Sequence, residues 1–158
     1  VIARPFNTYG PGQSARAILP TIITQLLCGS KDVKLGSLHP TRDLNYVDDI
    51  CKGFIMLAKC EKALGKVVNI GSGKDISIKE LAELNIKLID QDARIVSDDT
   101  RKRPEKSEVE RLVCDNRLLK DMTGWRPGVS LKDGLVKTIE WFKNEENLKR
   151  YKSDTYNV

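Results

Sequence analysis

Short apolar runs along the chain alternate with segments in which apolar residues recur every third or fourth position. Val1 to Phe6, interrupted only by Arg4, reads as a strand already in progress at its first residue. Tyr9-Gly10-Pro11-Gly12 follows as a turn, because Gly and Pro supply the backbone angles of a sharp reversal. Ile18, Ile22, Leu26 and Leu27 then recur at helical spacing, with Pro20 near the first turn and Gly29 placed as a left-handed stop. Short strands are expected at 33–36 and 44–47, flanking a turn at 37–42. Asp48 is placed to cap the next helix, whose buried face should be Ile50, Phe54, Leu57 and Ala58. Val67-Val68-Asn69-Ile70 reads as a strand that ends in Gly71-Ser72-Gly73. Ser77 and Glu80 have the spacing of a capping box, in which hydroxyl and carboxylate satisfy opposite orphan N–H groups, and they open a helix with Leu81, Leu84 and Leu88.

Further on, the pattern predicts a strand at 93–96, a charged irregular segment at 98–110 and a short helix from Asn116 to Met122 that stops at Gly124. A last helix should run from Ser130 to about Asn144 and bury Leu131, Leu135, Ile139 and Phe142. Strands that alternate with helices predict α/β layering with parallel strands. No repeat, low-complexity tract or linker divides the chain, so residues 1–158 are expected to form one domain.

Composition narrows the function classes. The longest apolar stretch, 17–28, is interrupted by Pro20, Thr21, Thr24 and Gln25 and is too short to cross a bilayer, which needs roughly twenty residues. A soluble, cytoplasmic protein without a membrane partner is expected. Cys28, Cys51, Cys60 and Cys114 are scattered without a C-x-x-C pair, and His39 is the only imidazole. That pattern predicts reduced, mostly buried thiols and no metal site. It also leaves no hydrolytic nucleophile with a base beside it. The net charge of +5 suits anionic partners, yet acids interleave with the basic residues and no continuous basic stripe forms, which argues against nucleic acid. Gly71-Ser72-Gly73 could cradle a phosphate after its strand, but it lacks the G-x-G-x-x-G spacing and reads more simply as a turn.

A more informative constellation runs through the chain in order: Arg4-Pro5-Phe6-Asn7-Thr8-Tyr9-Gly10-Pro11, Thr41-Arg42-Asp43 leading into Tyr46-Val47-Asp48-Asp49, Asn69-Ile70-Gly71, Arg103-Pro104, and Gly124-Trp125-Arg126-Pro127. Together these segments resemble the extended short-chain dehydrogenase/reductase family of sugar-nucleotide epimerases and dehydratases, of the dTDP-glucose and GDP-mannose 4,6-dehydratase type. The resemblance implies the C-terminal strands and helices of an NAD(P)-binding Rossmann-like fold plus a small substrate-binding α/β subdomain. It implies that Asn7 holds the sugar nucleotide near its phosphates, where the alternative is an amide that caps its own turn. Pro5 and Phe6 would lie near the nicotinamide of NAD, with NADP as the alternative cofactor. Arg42 and Arg103 would close on the diphosphate from two sides, a role that suits a planar, permanently charged fork of donors. Their alternative is surface pairing with an acid such as Asp43 or Glu105. Ile18, Leu19, Pro20, Val33 and Leu35 match the segments that sandwich the nucleotide base; ordinary core packing is the competing reading.

Some residues depart from the family pattern. Lys106 stands where many relatives carry an acid facing the ribose, and Asn85 and Asp90 occupy positions suited to an apolar residue and a glycine stop. The segments at 13–17 and 103–109 most resemble a bacterial 4,6-dehydratase-like branch acting on nucleotide-linked sugars, including N-acetylhexosamines.

Members of the family also carry a glycine-rich dinucleotide loop and a Y-x-x-x-K pair for acid/base work. These 158 residues hold no such loop, and none of Tyr9, Tyr46, Tyr151 and Tyr156 has Lys four residues on. The expectation is a C-terminal, substrate-gripping portion that carries no catalytic residue and does not turn over alone. The complete enzyme would be a homodimer acting on a nucleoside-diphosphate sugar. A nucleotide-sugar 4-epimerase is the alternative within the family. A non-catalytic basic module for nucleotides or nucleic acid is the alternative from another class, and a misfolded remnant with an open sheet edge is the third.

Overall fold

The computed structural model describes residues 1–101 and 108–151. In chain order the elements are β1 (Ile2–Pro5), β2 (Thr8–Tyr9), α1 (Ile18–Leu27), β3 (Asp32–Leu35), β4 (Thr41–Arg42), β5 (Asn45–Tyr46) and α2 (Val47–Ala58). They continue with β6 (Val67–Ile70), β7 (Ile76–Ser77), α3 (Ile78–Ile89), β8 (Arg94–Ser97), β9 (Arg111–Leu112), α4 (Arg117–Thr123), α5 (Leu131–Lys143) and α6 (Glu145–Leu148). The pairs β1–β6, β2–β5, β3–β8 and β4–β9 are all parallel, as the alternation of strands with helices predicts. Two compact units emerge: Val1–Tyr9, Thr41–Ile76 and Arg111–Gly134 in the first, and Gly10–Pro40, Ser77–Glu110 and Leu135–Val158 in the second.

In the first unit, β1 and β6 run in register from Ile2 opposite Val67 to Pro5 opposite Ile70. Val68 and Ile70 point into a core with Ile50, Leu57, Leu119 and Trp125, which α2, α4 and the segment after α4 supply. The other face carries Ile2, 61% exposed, beside Val67, 42% exposed. Parallel sheets are normally covered on both faces; here Ile2 and Val67 are exposed on a side they share with Arg4 and Asn69, the next pair in register on that side.

Helix α2 differs from expectation in two ways. Its inward face is Ile50, Gly53 and Leu57, while Phe54 (42% exposed) and Ala58 face outward. The reason is close packing at Gly53, where a Cβ would come within 2.8 Å of Ile70 Cγ2. Nor does Asp48 cap the helix: its N-cap is Tyr46, with no side-chain capping bond. The neighbouring Asp49, buried, instead accepts hydrogen bonds from the Gly128 (2.9 Å) and Val129 (2.8 Å) amides, and its carbonyl accepts one from Trp125 Nε1 (3.1 Å). These bonds tie the start of α2 to the Gly-Trp-Arg-Pro segment.

In the second unit, α1 packs on α3, and Ile23, Ile139 and Phe142 form a core with Leu27, Leu88 and Tyr151 around them. Gly29 has the left-handed φ of 83° expected of it, and the Ser77/Glu80 capping box is formed in both directions. Asp90 ends α3 in an extended conformation, not a left-handed one, and is held by Lys31 Nζ at 2.7 Å. Asn85 is fully buried; its Nδ2 donates to the Leu81 carbonyl, and its Oδ1 has no partner among the described residues. Past α5, Tyr151 donates to the Gln13 carbonyl at 2.8 Å and lies edge-on against Phe142, an anchorage the sequence pattern did not announce.

All four cysteines are free, but only Cys114 is buried; Cys28 and Cys51 are exposed, contrary to the expectation of mostly buried thiols. Cys28 follows the last turn of α1, and Cys51 lies on the outer side of α2. No described helix is long and apolar enough to cross a membrane. The described residues contain no metal-binding cluster of His, Cys, Asp and Glu.

Candidate functional site

The carboxyl ends of parallel strands are where α/β sheets bind ligands. In the first unit, β1 ends at Pro5, and the chain continues through Phe6 and Asn7 before pairing again as β2. The Phe6 amide donates to the Ile70 carbonyl (2.9 Å), Thr8 Oγ1 donates back to the Phe6 carbonyl (3.0 Å), and the Asn7 carbonyl accepts from the Asn45 amide (2.8 Å). The main chain is thus fixed on both sides of Asn7, whose side chain is exposed. Pro5 has no N–H, and the Phe6 N–H is taken, so these two residues can offer a cofactor ring chiefly apolar contact.

Arg42 sits half-buried on β4, and its Nη1 donates to the Thr41 carbonyl at 2.8 Å. Both its neighbours are anchored. Thr41 Oγ1 donates to Asp75 Oδ2 at 2.6 Å, and Arg111 closes on the same carboxylate through Nε (2.9 Å) and Nη2 (3.3 Å). Asp43, with no exposed surface, accepts five hydrogen bonds. Oδ1 takes the Ser72 amide (3.1 Å), the Ser72 hydroxyl (2.6 Å) and Asn45 Nδ2 (3.0 Å), while Oδ2 takes the Gly73 (2.8 Å) and Cys114 (3.1 Å) amides. The Gly71-Ser72-Gly73 segment is therefore a turn closed around Asp43, and the Ser72 and Gly73 amides that could have cradled a phosphate are already engaged. Burial, then the nearby Asp43, pushes the Cys114 thiol up to about 12, which keeps it protonated and inert.

The Asp75 carboxyl is lowered to about 2, first by the Arg111 hydrogen bond and then by Thr41. A carboxyl whose folded value lies below its unfolded one contributes stability that is full above the unfolded value of about 4 and is lost as pH falls through the folded value. Wild-type chain is therefore expected to lose more stability between about pH 4 and pH 2 than Asp75→Asn does. Urea denaturation at stepped pH checks this; parallel curves for the two chains would contradict it.

The base-sandwich residues lie in the second unit, so they are described apart from Asn7 and Arg42. Ile18 opens α1 half-buried, whereas Leu19 (0% exposed), Pro20, Val33 (0%) and Leu35 (1%) are enclosed. Gln25, not singled out by the sequence pattern, clamps the strand between them: its Oε1 accepts from the Lys34 amide (2.9 Å) and its Nε2 donates to the Lys34 carbonyl (3.3 Å). The Leu35 carbonyl accepts from the Asp98 amide. Of these five side chains, Ile18 keeps the most surface for a ligand. Arg103 and Lys106 lie outside the described residues.

This arrangement accompanies a match of residues 1–138 to the family described as GDP-mannose 4,6 dehydratase. The chain belongs to that family. A dTDP-D-glucose 4,6-dehydratase of Bos taurus is 32% identical over 97% of this chain and 43% of its own length. Among solved structures, an epimerase from Methanothermobacter thermautotrophicus matches with a TM-score of 0.83 at 27% identity, covering 94% of this chain and 44% of that one. A dTDP-glucose 4,6-dehydratase from Bacillus anthracis, solved in complex with NAD, matches with a TM-score of 0.80 at 28% identity over 95% of this chain and 47% of that one. The chain thus has the α/β fold of Rossmann-like nucleotide-sugar dehydratases and epimerases, and it spans less than half the length of these relatives.

Proposed function

We propose that this chain is the sugar-nucleotide-gripping portion of an NAD-dependent nucleotide-sugar 4,6-dehydratase, with Asn7, Arg42 and Arg103 on the diphosphate side and Ile18 against the base. Leu19, Pro20, Val33 and Leu35 belong to the same base-sandwiching segments, and Pro5 with Phe6 flanks the nicotinamide. The observation that carries this reading is Arg42: a guanidinium whose neighbours are both held, Thr41 by Asp75 and Asp43 by the Ser72, Gly73 and Cys114 amides. A donor fixed in advance loses little freedom when it meets a phosphate, which is how a binding site gains affinity from preorganisation.

The reaction served would begin with hydride removal from sugar C4 to NAD and proceed by loss of water across C5 and C6. This chain's part in it is binding and orientation. The proton-moving Tyr/Lys pair and the dinucleotide loop belong to residues other than these 158. The exposed Ile2/Val67 pair suits coverage by that further α/β layer, and relatives more than twice as long support the same division. Tyr9 is no substitute acid: it is buried, its hydroxyl donates to the Leu131 carbonyl, and burial followed by Tyr46 and Asp49 raises its pKa.

Isothermal titration of the chain with UDP and with dTDP, at low and high salt, tests the proposal. Saturable binding is expected, with Arg42→Ala weakening it at least about 10-fold, the scale of one charge-assisted phosphate contact. Equal affinity of the two proteins would overturn the role of Arg42. Binding to an oligonucleotide that collapses with salt would favour the basic-module reading instead.

A further inference from the structure

Gln25 is a buried amide, 5% exposed, on the helix that begins with Ile18. It follows Ile18 by about two turns, so the two share one face of α1, ~10 Å apart along the axis at ~1.5 Å per residue. Both ends of the amide are engaged. Oε1 accepts from the Lys34 amide (2.9 Å), and Nε2 donates to the carbonyls of Lys34 (3.3 Å) and Thr21 (2.9 Å). Turned over, the amide would set donor against donor and oxygen against two oxygens, so its partners accept this orientation alone.

The hydrogen bonding of β3 explains why the grip falls on Lys34. Toward β8, the Lys31 carbonyl accepts from the Arg94 amide and the Leu35 carbonyl from the Asp98 amide, both at 2.8 Å. Alternate residues of a parallel strand face opposite edges, so Lys34 turns its N–H and C=O the other way. There the Gln25 side chain, with the same donor and acceptor as a peptide group, stands where a neighbouring strand would. Val33 and Leu35, on either side of Lys34, are 0% and 1% exposed. One side chain thus holds the strand that carries Val33 and Leu35 against the helix that presents Ile18.

We infer that Gln25 is a positioning residue for nucleotide-base recognition: without touching the ligand, it sets the spacing between the α1 and β3 segments that grip the base. The inference rests on the sugar-nucleotide reading above, because it needs the base to lie against these segments. A strand free to shift would have to be ordered on binding, which lowers affinity.

Gln25→Glu tests this through pH. Ionised, the new carboxylate sets oxygen against the Lys34 and Thr21 carbonyls; protonated, it regains a donor. Burial raises a carboxyl's pKa, so the change is expected between about pH 8 and pH 5. UDP affinity is read as a ratio to wild type, in which the titration of UDP itself cancels. That ratio should be lowered at least about 10-fold at the upper pH and recover most of the loss at the lower one. Gln25→Met, which cannot donate, should show the loss at both. Urea denaturation at each pH establishes that the folded chain is the one titrated. A further measurement needs no variant: saturating UDP should slow exchange of the wild-type Lys34 amide, followed by NMR, at least about 5-fold. Wild-type affinity in Gln25→Glu at the upper pH, a loss without recovery, a recovery that Gln25→Met shares, or unchanged Lys34 exchange would overturn the role of Gln25 and leave the sugar-nucleotide reading standing. Absence of saturable UDP binding by the wild-type chain would overturn both.

Discussion

Asp43→Ala is expected to destabilise the first unit by about 3–5 kcal/mol, at the top of the range for single substitutions. The loss does not come from the Asp43 side chain's own packing. It comes from what is left behind: the Ser72, Gly73 and Cys114 amides and the Asn45 amide would all point at a space with no acceptor. An unsatisfied buried donor costs about 1–3 kcal/mol, and the donors here lie on three separate stretches of chain that Asp43 alone gathers. Trp125, buried in the core of this unit, reports its unfolding by fluorescence, and Trp141→Phe removes the signal of the other tryptophan. A urea midpoint that moves by less than the equivalent of about 1 kcal/mol would show that water or a rearranged loop satisfies those donors, and that Asp43 is not the anchor. Asp43→Asn should fall between, since it keeps one acceptor oxygen but turns an NH₂ group toward donors. Because Asp43 follows Arg42 directly, nucleotide affinity should fall with the fraction of unit folded, whereas Arg42→Ala should weaken binding with the urea midpoint largely kept.

Legibility in the sequence followed the range of the interaction. The Ser77/Glu80 capping box and the glycine stops at 29 and 124 act across a few residues and read correctly from spacing. Strand-helix alternation gave the parallel pairing for the same reason, because a parallel connection requires a crossover between strands. The anchors of the candidate site were not readable this way. Asp43 draws its donors from as far away as Cys114, Asp75 joins Thr41 to Arg111, and Asp49 reaches Gly128. Spacing along one helix cannot separate Asp48 from Asp49, and the local rule for helix caps chose the one that the fold leaves exposed. Likewise Phe54 satisfied the periodicity of α2, but the helix is rotated by the close approach at Gly53, which a pattern of apolar residues does not register. The ordered motifs single out Arg42 and Asn7 as candidates, and the structure adds what those motifs omit, the bonds that fix the main chain around each.

Gly134→Ala is expected to destabilise by about 2–4 kcal/mol, although alanine in place of glycine inside a helix normally stabilises by about 1 kcal/mol. Gly134 lies in α5, and a Cβ there would fall onto Tyr9 Oη, within 2.9 Å of the Tyr9 ring carbon Cζ and 3.1 Å of Tyr46 Cδ2. Tyr9 has no room to yield: it is 2% exposed, its ring meets Tyr46 edge-on at 5.7 Å, and its hydroxyl donates to the Leu131 carbonyl at 3.2 Å. Displacing it would give up that bond and disturb β2, which pairs with β5 immediately before α2. The double variant Tyr9→Phe/Gly134→Ala separates the causes. Removing the hydroxyl takes away the atom the new methyl group strikes, so the pair should be more stable than the two single losses added together, with a coupling of about 1–2 kcal/mol. Strict additivity would place the damage elsewhere, and a stabilised Gly134→Ala would mean that helix propensity outweighs packing at this position.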